Sequence, residues 1–311
     1  MSIEHFYVIA VLTNFQRYVT RTRLFKEFVE RMDRCGAKLY IVEGVLDGQP
    51  FEVTSATNPH HIQVQLKSEI WYKENLINIG ISKLPSDWQY VAWVDGDIEF
   101  LNPKWMENTV QQLQRYPVVQ MFVDLIDLGP KYEVLCVDKG FGYCYINRDI
   151  YGEEFNKTVK ETQINRTWHP GYCWAATRKA IDLLGGLFDV AISGAADGCM
   201  ARAFIGMADE YISEKAHPNY RKALLNWQER ASAFQQNIGY VDGSILHHWH
   251  GKKVDRKYKD RFNILIDGQF DPVTDLSKDS SGALVLAADK WLLRDQLRTY
   301  FQERNEDSVD V

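Results

Sequence analysis

Two aspartates separated by one glycine are the residues of this chain best suited to hold a cation. Asp95, Gly96 and Asp97 directly follow the apolar run 90–94, where a buried strand is expected to end. Alternate residues of an extended segment point to the same side, so both carboxylates can face one ion, and the glycine lets the backbone approach a phosphate closely. Oxygen ligands suit Mg²⁺ or Mn²⁺, which can bridge a diphosphate. A solvated turn rich in Asp and Gly is the alternative interpretation.

A histidine cluster is the second candidate for metal chemistry. His247, His248 and His250 are three of the chain's eight histidines and fall within four positions. An imidazole could complete the coordination of Mn²⁺ begun by Asp97. His250 is the favoured ligand because Gly251 beside it permits close backbone approach, and His248, on the same side of an extended strand, ranks second. Alternatively, the first two histidines are strand residues hydrogen-bonded in the core.

A basic segment follows the histidines. Lys252 and Lys253 could neutralise the charge of a departing phosphate. The basic residues that continue the segment could contact nucleic-acid phosphates, but the interspersed acids fit a solvated helix face equally well. The formal net charge of −6 provides no overall positive field for nucleic acid or an anionic membrane. The continuing basic residues are Arg256, Lys257, Lys259 and Arg261.

Asp197 is the candidate general base. It ends the small-residue run 193–196, where a helix is expected to begin. A carboxylate there could take the proton from an acceptor hydroxyl as that hydroxyl attacks the anomeric carbon of a sugar. As a helix N-cap it would instead stabilise the helix by about 1 kcal/mol, and the two roles are compatible. Asp189 is a weaker candidate because it lies in the connecting loop without a flanking glycine.

Alternating strands and helices are expected to position these residues. The alternation predicts right-handed βαβ units and therefore an α/β fold whose central sheet is mostly parallel and flanked by helices. Residues 130–170 have the composition of loops and hairpins over a site. The predicted strands are 5–13, 39–42, 61–66, 90–94 and 118–123. The predicted helices are 24–32, 74–84, 106–113, 178–184, 198–205, 221–234, 256–266 and 290–304.

The domain organisation predicted from the sequence is one compact unit with two functional halves. Residues 1–130 are expected to form a nucleotide-binding half, and residues 131–311 are expected to form the acceptor-binding and catalytic half with C-terminal helices. The acidic end 306–310 is expected to fray. Five cysteines without a CxxC pair, no basic leader and no apolar run of about 20 residues favour a soluble cytoplasmic protein without a membrane anchor.

Four separated segments together resemble the GT-A glycosyltransferases, in particular inverting members from bacteria and bacteriophages. They are the first strand ending in Thr13 and Asn14, residues 95–97, the stretch from 169–175 to Asp197, and the pair 250–251. The resemblance spans residues 5 to about 260 in the order that the fold requires. It implies a Rossmann-like GT-A fold with a helical C-terminal extension, and a nucleoside-diphosphate sugar as donor.

The resemblance also implies roles for individual residues. The nucleotide would lie over the first strands with Glu43 near its base, Asp97 would bind the metal directly with His250 as a late ligand, and Asp197 would be the base. Many relatives carry two acids where this chain has an alanine before Asp197, so the acceptor contact of the first acid is missing. Further donor contacts would come from Val11, Thr13, Asn14, Lys73, Asn75, Asp95 and Gly96. Acceptor contacts would come from Trp174, Gly194, Ala195 and Ala196.

The resulting expectation is a metal-dependent hexosyl- or pentosyltransferase that uses Mn²⁺ or Mg²⁺ and inverts the sugar. The acceptor stays open between a glycan, a protein, a small molecule and a modified DNA base, with DNA disfavoured by net charge. The donor sugar, the nucleotide base of the donor and the oligomeric state stay open as well. A nucleotidyltransferase acting on sugar phosphates ranks lower, because residues 11–15 contain no glycine for a phosphate loop. A non-catalytic carbohydrate- or DNA-binding module would use the abundant aromatics, whose commoner role is core packing.

Overall fold

The computed structural model describes residues 2–150, 155, 168–258 and 260–310, and two sheets and a hairpin carry its strands. The strands are β1 (Phe6–Thr13), β2 (Leu39–Leu46), β3 (His61–Leu66), β4 (Tyr90–Val94), β5 (Ile98–Phe100), β6 (Val118–Gln120), β7 (Asp124–Leu128), β8 (Val134–Gly140), β9 (Trp168–His169), β10 (Cys173–Thr177), β11 (Ile238–Tyr240), β12 (Ser244–His247), β13 (Leu276–Lys278) and β14 (Leu284–Leu286).

Helices flank the central sheet. Within the described residues they are α1 (Val19–Arg34), α2 (Lys73–Ser82), α3 (Trp105–Gln112), α4 (Phe141–Ile146), α5 (Arg178–Leu184), α6 (Ala196–Phe204), α7 (Pro218–Ala231), α8 (Asn263–Asp267) and α9 (Trp291–Glu303). None of these helices is both long enough and apolar enough to span a bilayer.

The central sheet has the strand order β11-β6-β10-β4-β1-β2-β3. The pairs β1–β2, β1–β4, β2–β3 and β6–β11 are parallel, and β10 runs antiparallel to both of its neighbours. The predicted α/β class with a mostly parallel sheet flanked by helices is therefore confirmed. Strand β1 is apolar on both sides because each face packs in a core: Ile9 lies in one core and Val8 in the other. Strands from both predicted halves share this sheet.

The second sheet, in the order β5-β12-β7-β8-β9, brings distant segments to the end of β4. Strand β5 begins directly after Asp97 and pairs with β12, so that His247 lies opposite Ile98 on one side and Asp127 of β7 on the other. The backbone N–H of His248 donates to the carbonyl of Asp97 at 2.9 Å. The histidine segment is thus held beside the two aspartates by backbone pairing.

Helix α6 begins differently from the expected N-cap arrangement. Ala195 precedes it in the left-handed region at φ +72°, and Asp197 is the second residue of the helix. Its Oδ1 accepts the N–H of Gly198 at 2.8 Å, so the carboxylate still satisfies a donor of the first turn. The other carboxylate oxygen, Oδ2, lies next to Gly171, where a Cβ atom would come within 2.5 Å of it.

The C-terminal region differs most from the sequence-based expectation. The continuous helix predicted over 256–266 is wrong: a 3₁₀ turn ends at Arg256, Lys257 adopts φ +45°, and α8 starts only at Asn263. The hairpin β13–β14 was not predicted. The acidic end is packed rather than frayed in its described part, since Asp307 accepts the N–H groups of Val19 and Thr20 at 3.1 and 2.7 Å.

The segment 130–170, predicted to form loops and hairpins, contains β8, which forms a hairpin with β7, and also contains α4 and β9. Its residues 151–154 and 156–167 lie outside the described residues.

Candidate active site

A large cavity opens where β1 and β4 end, in the position expected for ligands of an open α/β sheet. The chain segments that reach it include the loops after β1 and β4, the starts of α1, α2 and α6, residues 169–172, the histidine segment 247–250 and the C-terminal segment 256–306. Ten of the residues expected to act as base, metal ligand, donor contact or acceptor contact line it: Val11, Thr13, Asn14, Lys73, Asp95, Gly96, Asp97, Ala195, Asp197 and His250.

Two of the expected donor contacts have structural partners instead and do not line the cavity. The buried Glu43 carboxylate accepts the N–H groups of residues 52 and 54 at 2.6 and 2.9 Å and the hydroxyl of Thr54 at 2.6 Å. The Asn75 amide donates to the carbonyl of Gly282 and accepts the N–H of Leu284, both at 3.1 Å. Each side chain thereby fixes a distant loop or hairpin.

Three of the four expected acceptor contacts lie behind the cavity surface. The Trp174 indole is buried and donates to the carbonyl of Pro170 at 2.8 Å. Ala196 is buried in the core. Gly194, at φ +91°, lies against the guanidinium of Arg261, where an added Cβ would be 3.0 Å from Nη1.

Neither lysine proposed to neutralise phosphate lines the cavity. Lys252 is half-buried outside it, and Lys253 forms an ion pair with Asp127. The Lys253 ammonium also lies 3.7 Å from Cys136 Sγ. It thus already supplies a cation to the group formed by Asp127, Cys136 and Asp138, whose possible ligand atoms lie within 4.8 Å of one another.

Asp97, His247 and His250 form a three-residue cluster at the cavity. Their possible ligand atoms all lie within 4.8 Å of one another. The two imidazole Nε2 atoms are 3.2 Å apart, and Nε2 of His250 is 3.0 Å from Asp97 Oδ2. The second oxygen, Asp97 Oδ1, is buried and has no hydrogen-bond partner in the described part of the chain.

Two carboxylates behind the histidines set the orientation of the rings. Nδ1 of His247 donates to Asp127 at 2.6 Å, and Nδ1 of His250 donates to Glu306 at 3.2 Å. With both Nδ1 atoms directed at these carboxylates, the Nε2 atom of each ring faces the other ring, and Nε2 of His250 also faces Asp97. Three electron-pair donors that face one another this closely are the donor set of a transition-metal site.

The arrangement of the histidines differs from the sequence interpretation in one respect. His248 contacts Glu99 at 3.4 Å and is not in the cluster, whereas His247, assigned to the core alternative, is in it. Strand β12 ends at His247, so the alternation of an extended strand does not continue to His250. The spacing of three residues between His247 and His250 is the sequence feature that could have identified them as a pair.

The first aspartate of the pair is engaged by a lysine rather than by the histidines. Lys73, the first residue of α2, forms an ion pair with Asp95 in the cavity. Burial raises the pKa of Asp95 to about 6, although Lys73 acts in the opposite direction. Burial also opposes ionisation of Asp97, but the imidazoles of His250 and His247 hold its pKa well below the ordinary value. The two carboxylates therefore have different environments despite their spacing. Gly96 between them packs against the ring of Phe25 in α1, where an added Cβ would lie 2.3 Å from the ring.

Asp197 and Glu74 are two further carboxyl groups of the cavity, and their environments differ. Burial opposes ionisation of Asp197, but Lys73 and His169 lower its pKa below the ordinary value, so it is ionised at neutral pH. Burial raises the pKa of Glu74 to about 7. Glu74 was not singled out from the sequence, since an acid in the first turn of a helix is ordinarily a surface residue. We call Glu74, Asp95, Asp97 and Asp197 the acidic wall.

The same cavity is also lined by arginines that we call the arginine wall: Arg21, Arg256, Arg261 and Arg304. Three of them come from the C-terminal segment, and for two of these, Arg256 and Arg261, the sequence left a solvated helix face as the alternative to phosphate contact. A cavity lined by both carboxylates and guanidinium groups can hold a cation bound to a polyanion, such as a metal–diphosphate complex.

Comparison with known proteins adds distant structural similarities. No family model matches the chain, and no curated protein matches it. A mannosyltransferase from Pyrobaculum calidifontis, in complex with GDP-Man and Mn²⁺, is 13% identical over 95% of this chain and 73% of its own, with a TM-score of 0.43. The catalytic domain of Drosophila β1,4-galactosyltransferase 7 is 15% identical over 63% of this chain, with a TM-score of 0.32.

A 4-diphosphocytidyl-2C-methyl-D-erythritol synthase from Anaerococcus prevotii is also similar, at 9% identity over 97% of this chain and all of its own, with a TM-score of 0.34. The match to the galactosyltransferase spans 59% of that protein, less than two thirds of its length. At these identities and TM-scores, the function has to be argued from the residues of the cavity.

Proposed function

We propose that this protein is a GT-A-type glycosyltransferase that transfers a sugar from a nucleoside-diphosphate donor to an acceptor hydroxyl with inversion. The observation that carries the proposal is the convergence of Asp97, His247 and His250 in the same cavity as the ionised Asp197. The first group is suited to a cation that grips a diphosphate, and the second is suited to a base.

The donor set favours Mn²⁺ over Mg²⁺. Two imidazoles and one carboxylate suit a transition metal, whereas Mg²⁺ prefers oxygen ligands throughout. Two nitrogen atoms 3.2 Å apart fit adjacent positions around one ion at bond lengths of about 2.1 Å. When bound, the ion would act as a Lewis acid that offsets the negative charge of the departing diphosphate.

The residues of the chain supply the remaining parts of the reaction. Val11, Thr13 and Asn14 line the end of the cavity over β1, where we place the nucleotide. The Asp197 carboxylate takes the proton of the acceptor hydroxyl while that oxygen forms a bond to the anomeric carbon. The bond from this carbon to the diphosphate oxygen breaks, and the nucleoside diphosphate departs with the electron pair. Inversion follows because the two oxygens lie on opposite faces of the sugar.

Lys73 is the cation that we place next to the transferred sugar. It is held by Asp95 and contributes to the low pKa of Asp197, so it adjoins both. This ion pair gives Asp95 a role in positioning Lys73 rather than in binding the metal directly. The acceptor would enter on the side of Ala195, which lines the cavity next to the base.

The test combines ligand binding with one substitution. A thermal-shift screen of nucleoside-diphosphate sugars, with Mn²⁺, Mg²⁺ or EDTA, should raise Tm most for one donor with Mn²⁺. With that donor, Asp97→Asn should lower hydrolysis or transfer by at least about 100-fold, because a lost metal ligand removes several kcal/mol of charge stabilisation. Asp182→Asn, on the exposed surface of α5, is the matched control. Normal turnover of Asp97→Asn with Mn²⁺ present would contradict the proposal.

A further inference from the structure

The arginine wall contains more buried positive charge than its own carboxylate can balance. Arg256, Arg261 and Arg304 expose only 5%, 6% and 5% of their surface. Arg21 and Arg304 both form ion pairs with Glu306, which is also buried. A buried charge requires a counter-charge, because removing an ion from water costs several kcal/mol. The single carboxylate of Glu306 is therefore shared by two arginines and by His250.

Arg256 and Arg261 have no carboxylate within 4.0 Å in the described part of the chain. Arg256 donates to the Tyr258 hydroxyl and to His250 Nε2, both at 3.0 Å. Arg261 donates to the Tyr300 hydroxyl at 3.3 Å. The Nε atoms of both arginines are buried and lack a partner among the described residues. Two cavity-lining guanidinium groups thus have neutral partners where an anion is expected.

The position of Arg261 is fixed by its surroundings before any ligand arrives. Its guanidinium carbon lies 4.9 Å from the ring centre of Tyr258 and 5.7 Å from that of Trp71. Gly194 leaves the space that the guanidinium occupies, since any Cβ there would crowd Nη1. A guanidinium held between aromatic rings loses little freedom when it binds, which favours affinity.

We infer that Arg256 and Arg261 together bind the diphosphate group of the nucleotide and that this anion site works without the cation. The inference rests on the proposed function, which supplies the donor. Arg256 contacts His250 of the metal cluster, and Arg261 adjoins Gly194, three residues before the base Asp197. The pair therefore spans the region between the metal ligands and the base, where the diphosphate has to lie for displacement at the sugar. Guanidinium groups match phosphate oxygens with two parallel hydrogen bonds.

Arg256 has a second property that follows from its contact with His250. Its Nη2 uses the lone pair of His250 Nε2, the same nitrogen that a cation would need. The positive charge of Arg256 therefore opposes metal binding while it favours phosphate binding. Loss of this side chain is expected to change the two affinities in opposite directions, which a purely structural role would not do.

The experiment measures binding of inorganic pyrophosphate, which is independent of the unknown base, by calorimetry in EDTA. The wild type should bind pyrophosphate, and Arg256→Gln and Arg261→Gln should each weaken binding by about 10- to 100-fold, the value of a lost charge-assisted hydrogen bond. Arg261→Lys keeps the charge but loses the planar guanidinium, so its pyrophosphate affinity should lie between those of the wild type and Arg261→Gln. Arg115→Gln, at an exposed site outside the cavity, should bind like the wild type.

Two controls separate ligand binding from folding. The Tm of the ligand-free Arg256→Gln and Arg261→Gln proteins should not fall, because each loses a buried charge without an anionic partner. In Arg256→Gln, Mn²⁺ should bind more tightly than in the wild type while pyrophosphate binds more weakly.

The outcomes distinguish this inference from the proposed function. If a nucleoside diphosphate binds with Mn²⁺ but neither it nor pyrophosphate binds in EDTA, or if both arginine variants bind pyrophosphate normally, the inference is overturned and the proposed function stands. If no nucleoside diphosphate binds even with Mn²⁺, while pyrophosphate binding still depends on the two arginines, the proposed function fails and the anion site stands.

Discussion

The acidic wall and the arginine wall line the same cavity but are built in different ways. The aspartates of the acidic wall lie at the end of β4 and the start of α6, where the sheet sets their positions. The arginine wall is assembled from α1 and the segment 256–304, and aromatic rings and the packed C-terminal residues hold it in place. In our proposal the first wall holds the cation and the base, and the second binds the anion. In this proposal the metal ligands and the base are thus positioned mainly by the sheets and a helix start, and the diphosphate contacts by the C-terminal segment.

The sharpest way to break this division of roles is to remove the base. Asp197→Asn should lower transfer by roughly 10²- to 10⁴-fold, because general-base catalysis contributes about that much. Pyrophosphate affinity in EDTA should stay within about twofold of wild type, since the arginine wall is intact and Asn can still accept the Gly198 N–H.

Asp189→Asn is the matched control, since that carboxylate pairs with Lys278 outside the cavity. Steady-state transfer and calorimetry on the same preparations would check the prediction. Undiminished transfer by Asp197→Asn would assign the base elsewhere.

A smaller effect is expected behind the metal cluster. Asp127 orients His247 through the 2.6 Å bond to Nδ1, and loss of such an outer partner typically weakens metal binding by about 10- to 100-fold. Asp127→Asn should therefore lower Mn²⁺ affinity by that factor in a titration followed by electron paramagnetic resonance, and leave pyrophosphate affinity in EDTA unchanged.

Asp124→Asn, on the same strand but paired with Lys139, should bind Mn²⁺ normally. Equal Mn²⁺ affinity in the Asp127 and Asp124 variants would show that the carboxylate behind His247 is not part of the site.

The smallest expected effect concerns Glu74, the carboxyl group of the acidic wall whose pKa is raised by burial. Burial raises the pKa of Glu74 from 4.5 to about 7. Between pH 4.5 and about 7, the folded state therefore keeps the Glu74 proton that the unfolded state has released. The stability of the wild type relative to Glu74→Gln should therefore fall as pH rises from about 4.5 to about 7, and stay constant above. The upper bound is about 3 kcal/mol, or several °C in Tm.

Tm measured across this pH range for both proteins checks the prediction. Glu107→Gln, at an exposed position of α3, is the control and should track the wild type at every pH. A pH-independent difference between wild type and Glu74→Gln would mean that Glu74 titrates normally in the fold.

Local patterns explain what could be predicted from the sequence about the fold and the site. Apolar runs and helical spacing located β1 to β4 and α1, and the position of Asp95 and Asp97 after such a run placed them at the cavity. Glu43 and Asn75, expected to contact the donor, do not line the cavity, because each side chain is hydrogen-bonded to backbone groups of another segment. Periodicity contains no information about partners so distant in the chain.

The residues missed by the sequence analysis share a physical origin. Glu306 reaches His250 across 56 positions, and Asp127 reaches His247 across 120. Arg256 and Arg261 carry the charge pattern of a solvated surface, yet a left-handed residue between them breaks the expected helix and turns both toward the cavity. Charge alone does not reveal burial, because the cost of burying it depends on groups that only folding brings near.

By itself, the sequence determined the α/β class, the alternation of β1 to β4 with α1 and α2, and the positions of Asp97 after β4 and Asp197 at the start of α6, since strand and helix periods are local properties of the chain. The tertiary structure decided which groups became partners. Backbone pairing of β12 with β5 and β7 selected His247 over His248, and the packed C-terminal end delivered Glu306 and the arginines. Distances between such groups are set by sheet pairing and core packing, which are collective properties of the whole fold.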